Sequence, residues 1–177
     1  MMKSFLSILL ILIFTACKSS EARIPTQHNS GDLMGISIKK NKDLNSKEYA
    51  KIKTFIDNSN VIFTASSYGF WFHCDLENTQ SKYKPEFGDQ VFYQYAVKNL
   101  NGNYIYSPNE TEEKSYYMEQ QDLLPGLREG LKLMKRGEKM TFIFPSQLAY
   151  GFYGDNDKIG PDTPLIYEVS VLKIIQN

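Results

Sequence analysis

The sequence predicts an α+β fold, and three stretches carry that prediction. Lys139-Met-Thr-Phe-Ile-Phe144 alternates apolar and polar residues and runs into Pro145, as a strand that is then stopped. Gly88-Asp-Gln-Val-Phe-Tyr-Gln-Tyr95 alternates in the same way and is followed by Leu100-Asn-Gly-Asn103, in which Asn-Gly is a strong hairpin signal. Between the two lies a short helix. Pro125 suits a first helical position, where its missing N–H costs nothing. Leu127, Leu131 and Met134 recur at i, i+4 and i+7 on one apolar face. Lys132, Lys135 and Arg136 favour the helix end electrostatically, and Gly137 stops it. Pro164-Leu-Ile-Tyr-Glu-Val169 supplies a closing strand.

The N-terminal part is organised differently. Lys3 precedes an apolar run from Phe5 to Phe14 and then Thr15-Ala16-Cys17. A positive start, an apolar core and small residues read as a secretory signal over residues 1–16. Ten residues are too few to span a bilayer. The Cys after the small residue looks like a bacterial lipobox, with Cys17 acylated as the first mature residue; Phe14 departs from the aliphatic residue usual there. Residues 17–45 then form the lipidated Cys and a tether poor in apolar residues. As a flexible coil of about 25 residues it would span roughly 25–30 Å. His28 stands alone in it, solvated. Residues 46–83 form an N-terminal helix and strand pair. Ser46 can cap the helix, and Tyr49, Ile52, Phe55 and Ile56 form an apolar stripe. That stripe either covers the sheet or pairs with a second copy of the chain. Two strands follow, Val61–Thr64 and Tyr68–His73. His73 and Cys74 are adjacent, but two residues make no metal site, and buried strand positions are expected for them.

Composition removes several function classes. Twenty basic and twenty acidic residues give a formal net charge of zero, and no basic cluster marks a nucleic-acid surface. Of two cysteines, one is the lipidation candidate, so Cys74 has no partner for an internal disulfide. With two histidines, one of them in the tether, a Ser-His or Cys-His pair has little room. Asn109-Glu-Thr111 fits a glycosylation acceptor by chance.

From about Lys84 to Ile175 the order of these motifs resembles the FK506-binding-type peptidyl-prolyl isomerases. Gly69-Phe-Trp-Phe72, Gly126-Leu-Arg-Glu-Gly-Leu-Lys-Leu-Met-Lys135 and Tyr150-Gly-Phe-Tyr-Gly-Asp155 are similar to the lipid-anchored members associated with bacterial gliding motility. The resemblance implies a strongly bent antiparallel sheet wrapped around the Pro125–Met134 helix, with residues 84–177 as the isomerase domain. Period-two alternation then gives Val91, Tyr93, Tyr95, Phe142, Phe144, Ile166 and Val169 as the inward faces, set against Leu127 and Leu131. The resemblance implies isomerisation of X-Pro bonds in exported polypeptides, without cofactor or metal. The expected setting is a lipid-anchored bacterial lipoprotein facing the periplasm.

The resemblance also implies a site. Tyr150 donates its hydroxyl to a carbonyl near the twisting bond, the backbone N–H of Leu124 holds another, and Tyr95 is an aromatic wall. Leu123 and Leu124 are the apolar pair before the helix, Ile159 covers the pocket, and Tyr167 stands as a wall where the family has Phe. Leu127 replaces the usual Trp floor. Ile105-Tyr106 replaces a Phe-Asp pair, so a carboxylate is lost there. Tyr116 or Tyr117 is a further wall, in a register left open, and Asp155 is a substitution at the loop tip. Two other readings stay open: a module that grips proline segments with little turnover, and a part of a motility or secretion machine docked through the Tyr49–Ile56 helix.

Overall fold

The computed structural model describes residues 30–177, of which residues 40–177 form one compact unit. Cys17, His28 and the signal at 1–16 lie outside the described residues. The elements are α1 (Ser30–Asp57), β1 (Thr64–Ala65), β2 (Trp71–Leu76), β3 (Gln90–Lys98), β4 (Tyr104–Tyr106) and β5 (Lys114–Tyr117). Then come α2 (Pro125–Leu131), β6 (Lys139–Phe144), a 3-10 turn (Ser146–Leu148) and β7 (Leu165–Ile175). The strands form one antiparallel sheet in the order β1-β2-β6-β7-β3-β4, and β5 also pairs with β3. The α+β expectation, antiparallel sheet and short helix together, holds.

α2 sits on one face of the sheet. Leu127 and Leu131 are buried there with Val91, Tyr93, Phe142, Phe144, Tyr167 and Val169. Helix and sheet meet closely because Gly126 and Gly130 turn toward β6. A Cβ at Gly126 would lie 2.5 Å from Phe144 Cδ1, and one at Gly130 would lie 3.1 Å from Phe142 Cε1. Each glycine costs about 1 kcal/mol in helix propensity, offset by the contact it permits. α2 is also shorter than its apolar spacing suggests. It closes at Leu131, and Leu133 and Met134 continue as turns through N–H bonds to Gly130 and Leu131 carbonyls. Met134 remains fully buried.

Ile166 corrects the expected core. It lies on the opposite face of the sheet, with Ile143 and Ile52. Side chains alternate along a strand, so Ile166 cannot share a face with Val169, three residues away; Leu165, Tyr167, Val169 and Val171 point to the main core instead. Tyr95 packs against that core half-buried.

The outer face is where α1 settles. Ile52 is fully buried on Ile143 and Ile166, with Phe55, Ile56 and Trp71 around it. Of the two alternatives for the stripe, covering the sheet is what Ile52, Phe55 and Ile56 do here, while Tyr49 stays 44% exposed. Burying one such side chain contributes about 1.5–3 kcal/mol. The helix begins at Ser30, inside the expected 17–45 tether. Residues 30–45 are mostly polar, with Leu33, Met34, Ile36, Ile38 and Leu44 scattered among them, which argued for coil, but they contain no proline, and a helix already anchored extends at little cost. Ser46 is therefore mid-helix, and its hydroxyl donates to the Lys42 carbonyl at 2.8 Å rather than capping. Residues 34–39 are exposed.

The first strand pair is also shifted. Of the expected first strand, Val61–Thr64, only Thr64 pairs, in a β1 of Thr64–Ala65 set against β2, and β2 starts at Trp71, while His73 and Cys74 are half-buried rather than buried. Thr64-Ala65 is held only by β2, and the expected Ser-Ser turn widens to Ser66–Gly69, taking Tyr68 and Gly69 from the second strand.

Candidate active site

Tyrosines gather where β3, β7 and the loop after β6 converge on the start of α2. A hollow of about 240 Å³ is lined there by Tyr93, Tyr95, Leu123, Leu124, Leu127, Tyr150 and Tyr167, with Lys114 and Ser115 at its edge. Register brings them together. Tyr95 faces Val169 on β7, two residues from Tyr167, and the two rings stack at 5.7 Å. Tyr167 also packs on Phe144 at 5.4 Å. The Tyr167 hydroxyl lies 3.5 Å from that of Tyr150, so the phenols point into one space. Burial pushes the Tyr93 and Tyr167 phenols well above the usual tyrosine range and raises that of Tyr95, so they stay protonated donors at neutral pH.

Leu124 stands at the N-cap of α2, with Pro125 next and no side chain capping it. The first N–H groups of any helix lack intrahelical partners, which leaves this end able to meet a carbonyl. Tyr150 sits on a loop fixed by its neighbours: Ala149 and Gly151 N–H groups both donate to the Ser146 carbonyl, at 3.0 and 2.8 Å.

A second hollow, of about 340 Å³, adjoins the first and shares Tyr95, Lys114 and Tyr150 with it. Tyr106, Glu110, Thr111 and Glu112 complete its lining. The carboxylate expected to be missing beside this strand is supplied from the opposite side. Tyr106 donates its hydroxyl to Asp155 Oδ2 at 2.5 Å. Asp155 Oδ1 in turn accepts the N–H groups of Asp157 (2.9 Å) and Ile159 (2.8 Å). Partial burial raises the Asp155 pKa, but the Tyr106 hydroxyl and those two N–H groups outweigh it and hold the carboxyl below its ordinary range. The 155–159 loop is thereby tied to β4, and the Lys158 ammonium lies over the Tyr106 ring.

Of the expected site residues, Tyr95, Leu123, Leu124, Leu127, Tyr150 and Tyr167 meet in the first hollow, and Tyr106 lines the second. Ile105 and Ile159 line neither. Ile105 packs half-buried on the core, and Ile159, at the end of the 155–159 loop, is buried in the core cluster. Tyr116 and Tyr117 are not walls either. Tyr116 is buried with its hydroxyl accepting the Glu119 N–H, and Tyr117 is exposed. The Tyr93↔Lys114 register instead presents Lys114 and Ser115 to the cleft. No apolar alternation in β5 signalled that edge.

A larger hollow, about 600 Å³, lies elsewhere, beside Cys74, Leu133, Lys135 and Glu138. Its charged and aliphatic lining has no aromatic wall. Among the described residues no group of three His, Cys, Asp or Glu is placed to hold a metal ion.

The sequence model of the FKBP-type peptidyl-prolyl cis-trans isomerases matches residues 81–172. A probable FKBP-type peptidyl-prolyl cis-trans isomerase FkpA of Neisseria meningitidis is 32% identical over 91 residues, covering 51% of this chain and 33% of that protein. The outer membrane protein MIP of Legionella longbeachae is 28% identical over 91 residues, covering 51% of this chain and 39% of its own. This chain thus spans about a third of the length of such relatives. The crystal structure of FkpA from Escherichia coli aligns with a TM-score of 0.62 at 22% identity, covering 96% of this chain and 82% of that one, a likeness of fold. With the tyrosine-walled hollow lying inside the matched segment, the chain belongs to the FKBP-type peptidyl-prolyl cis-trans isomerase family.

Proposed function

We propose that this chain isomerises X-Pro bonds in exported polypeptides while held at a bacterial membrane through a lipid on Cys17, facing the periplasm. The observation that carries the catalytic part is the 240 Å³ hollow walled by Tyr95, Tyr150 and Tyr167 and closed by Leu123, Leu124 and Leu127. Turning a prolyl amide disrupts its resonance, at a barrier of about 18–20 kcal/mol, so spontaneous exchange takes tens of seconds or more. A site that prefers the twisted amide lowers that barrier. The twisted form has a weaker carbonyl dipole, so a dry aromatic wall destabilises it less than it does the planar form. The Tyr150 hydroxyl and the Leu124 N–H hold substrate carbonyls while the bond turns. No covalent intermediate is needed.

Lipid anchoring rests on the Phe5–Cys17 pattern, and the outer-membrane name of one relative accords with it. Two or more acyl chains, at about 0.8 kcal/mol per buried CH₂, would hold it there. Among the described residues no helix is long and apolar enough to cross a membrane. A service to gliding motility or secretion is the finer reading, drawn from the Gly69–Phe72 and Tyr150–Asp155 runs. Leu127 at the floor favours a second reading, a module that grips proline segments with little turnover.

The deciding experiment compares wild type with Tyr150→Phe on a proline tetrapeptide. Loss of one hydrogen bond should lower kcat/KM by about 2- to 10-fold. A wild type that binds proline peptides but does not accelerate proline-limited refolding at micromolar concentration would replace the enzymatic reading with the second one.

A further inference from the structure

The family match begins at residue 81, so α1 lies outside it. Yet α1 reaches the loop that carries Tyr150. Glu48 is 7% exposed, and its carboxylate accepts both the N–H and, at 2.8 Å, the hydroxyl of Ser146. Asn45, three residues earlier and so on the same side of α1, accepts the side-chain amide of Gln147. Ser146 passes the hold onward. Its carbonyl receives the N–H groups of Ala149 and Gly151, the two residues flanking Tyr150. Gly151, at φ +60°, in turn accepts the Asp162 N–H at 2.9 Å.

A carboxylate is an expensive way to attach a helix. Ile52 already seats α1 on the sheet by apolar burial, whereas a buried charge must offset its lost hydration. What the carboxylate adds is direction: two donors of one residue are fixed at once. We propose that Glu48 is a positioning residue, acting through Ser146 to fix where the Tyr150 phenol points, so that α1 is part of the working isomerase. The catalytic consequence rests on the isomerase reading above; the geometric one does not.

The test uses the full chain with Glu48→Ala, Glu48→Gln and Ser146→Ala, and Ile52→Val as a control that weakens the same interface away from the Tyr150 loop. The first readout is amide hydrogen exchange at Ala149 and Gly151. In Glu48→Ala both should exchange about tenfold faster or more, since their loop opens locally. The second is the split of kinetic constants. Glu48→Ala should lose about tenfold in kcat, as a misdirected group does, with KM within about twofold. Glu48→Gln, which keeps one acceptor oxygen, should recover part of it. Ile52→Val should lower the melting temperature and leave kcat alone. Unchanged exchange at Gly151, or an equal kcat loss in Ile52→Val at matched folded fraction, overturns the proposal. If Glu48→Ala does not fold, Ser146→Ala removes only the hydroxyl donor and carries the same comparison with a smaller loss. If wild type is inactive, the isomerase reading falls, and the exchange of Ala149 and Gly151 alone decides the role of Glu48.

Discussion

Glu138 should hold the helix-to-sheet turn, and removing its carboxylate should destabilise the protein in an acid-dependent way. Glu138 is 1% exposed. It accepts the Lys135 N–H at 2.7 Å and the Asn78 N–H at 3.2 Å, and it pairs with the Lys135 ammonium at 2.9 Å. Its own carbonyl accepts the Val171 N–H, so the same residue joins the end of α2 to β7. Glu138→Ala leaves two N–H groups without acceptors in a buried place, a change that costs about 3–5 kcal/mol when one partner of a buried pair is removed. The Lys135 ammonium keeps the Asn78 carbonyl at 2.9 Å, which argues for the lower end, about 3 kcal/mol. For a chain of this size that corresponds to roughly 6–12 °C in Tm. Burial raises the carboxyl pKa, but the Lys135 and Asn78 N–H groups and the Lys135 ammonium together outweigh it and hold it low. A depressed carboxyl stabilises the fold above its unfolded value of about 4.3, and that contribution is lost as pH falls through the folded value. Urea unfolding followed by the single Trp should therefore show Glu138→Gln less stable than wild type at pH 7, with the gap narrowing as pH falls below about 4.3 and through the folded value. A Glu138→Ala loss under about 1 kcal/mol, or a wild-type-to-Gln gap that does not narrow in acid, refutes the reasoning.

Two further outcomes follow from close contacts. Gly126→Ala should lower stability by about 1–3 kcal/mol, because the new Cβ would lie 2.5 Å from the Phe144 ring and α2 must lift off β6; thermal melting checks it. Tyr106→Phe removes the hydroxyl donated to Asp155, so amide exchange at Asp157 and Ile159 should quicken while that of the β6 amides stays unchanged.

Local chemistry decided what could be read along the chain. Lys139–Phe144 appears with both ends as expected, because Gly137 before it and Pro145 after it punctuate any strand, whatever its neighbours. The start of α2 was equally legible from Pro125. Tyr150, Leu123, Leu124 and Tyr95 were placed by motif order, and the pairing of β3 with β7 then set Tyr95 against Tyr167. Ile166 was misplaced because alternation was read across Ile166 and Val169 together, although their odd spacing sets them on opposite faces.

The amino-acid sequence alone thus determined α2 and the strands β3, β6 and β7, the aromatic character of the site and the family, since these rest on residue type and short spacing. The tertiary structure alone decided which residues meet across long separations. Lys114 and Ser115 enter the cleft through strand register, Asp155 comes to Tyr106 through loop closure, and Glu48 reaches Ser146 from 98 residues away. A side-chain bond between distant segments leaves no periodic trace in either, so only the folded chain reveals it.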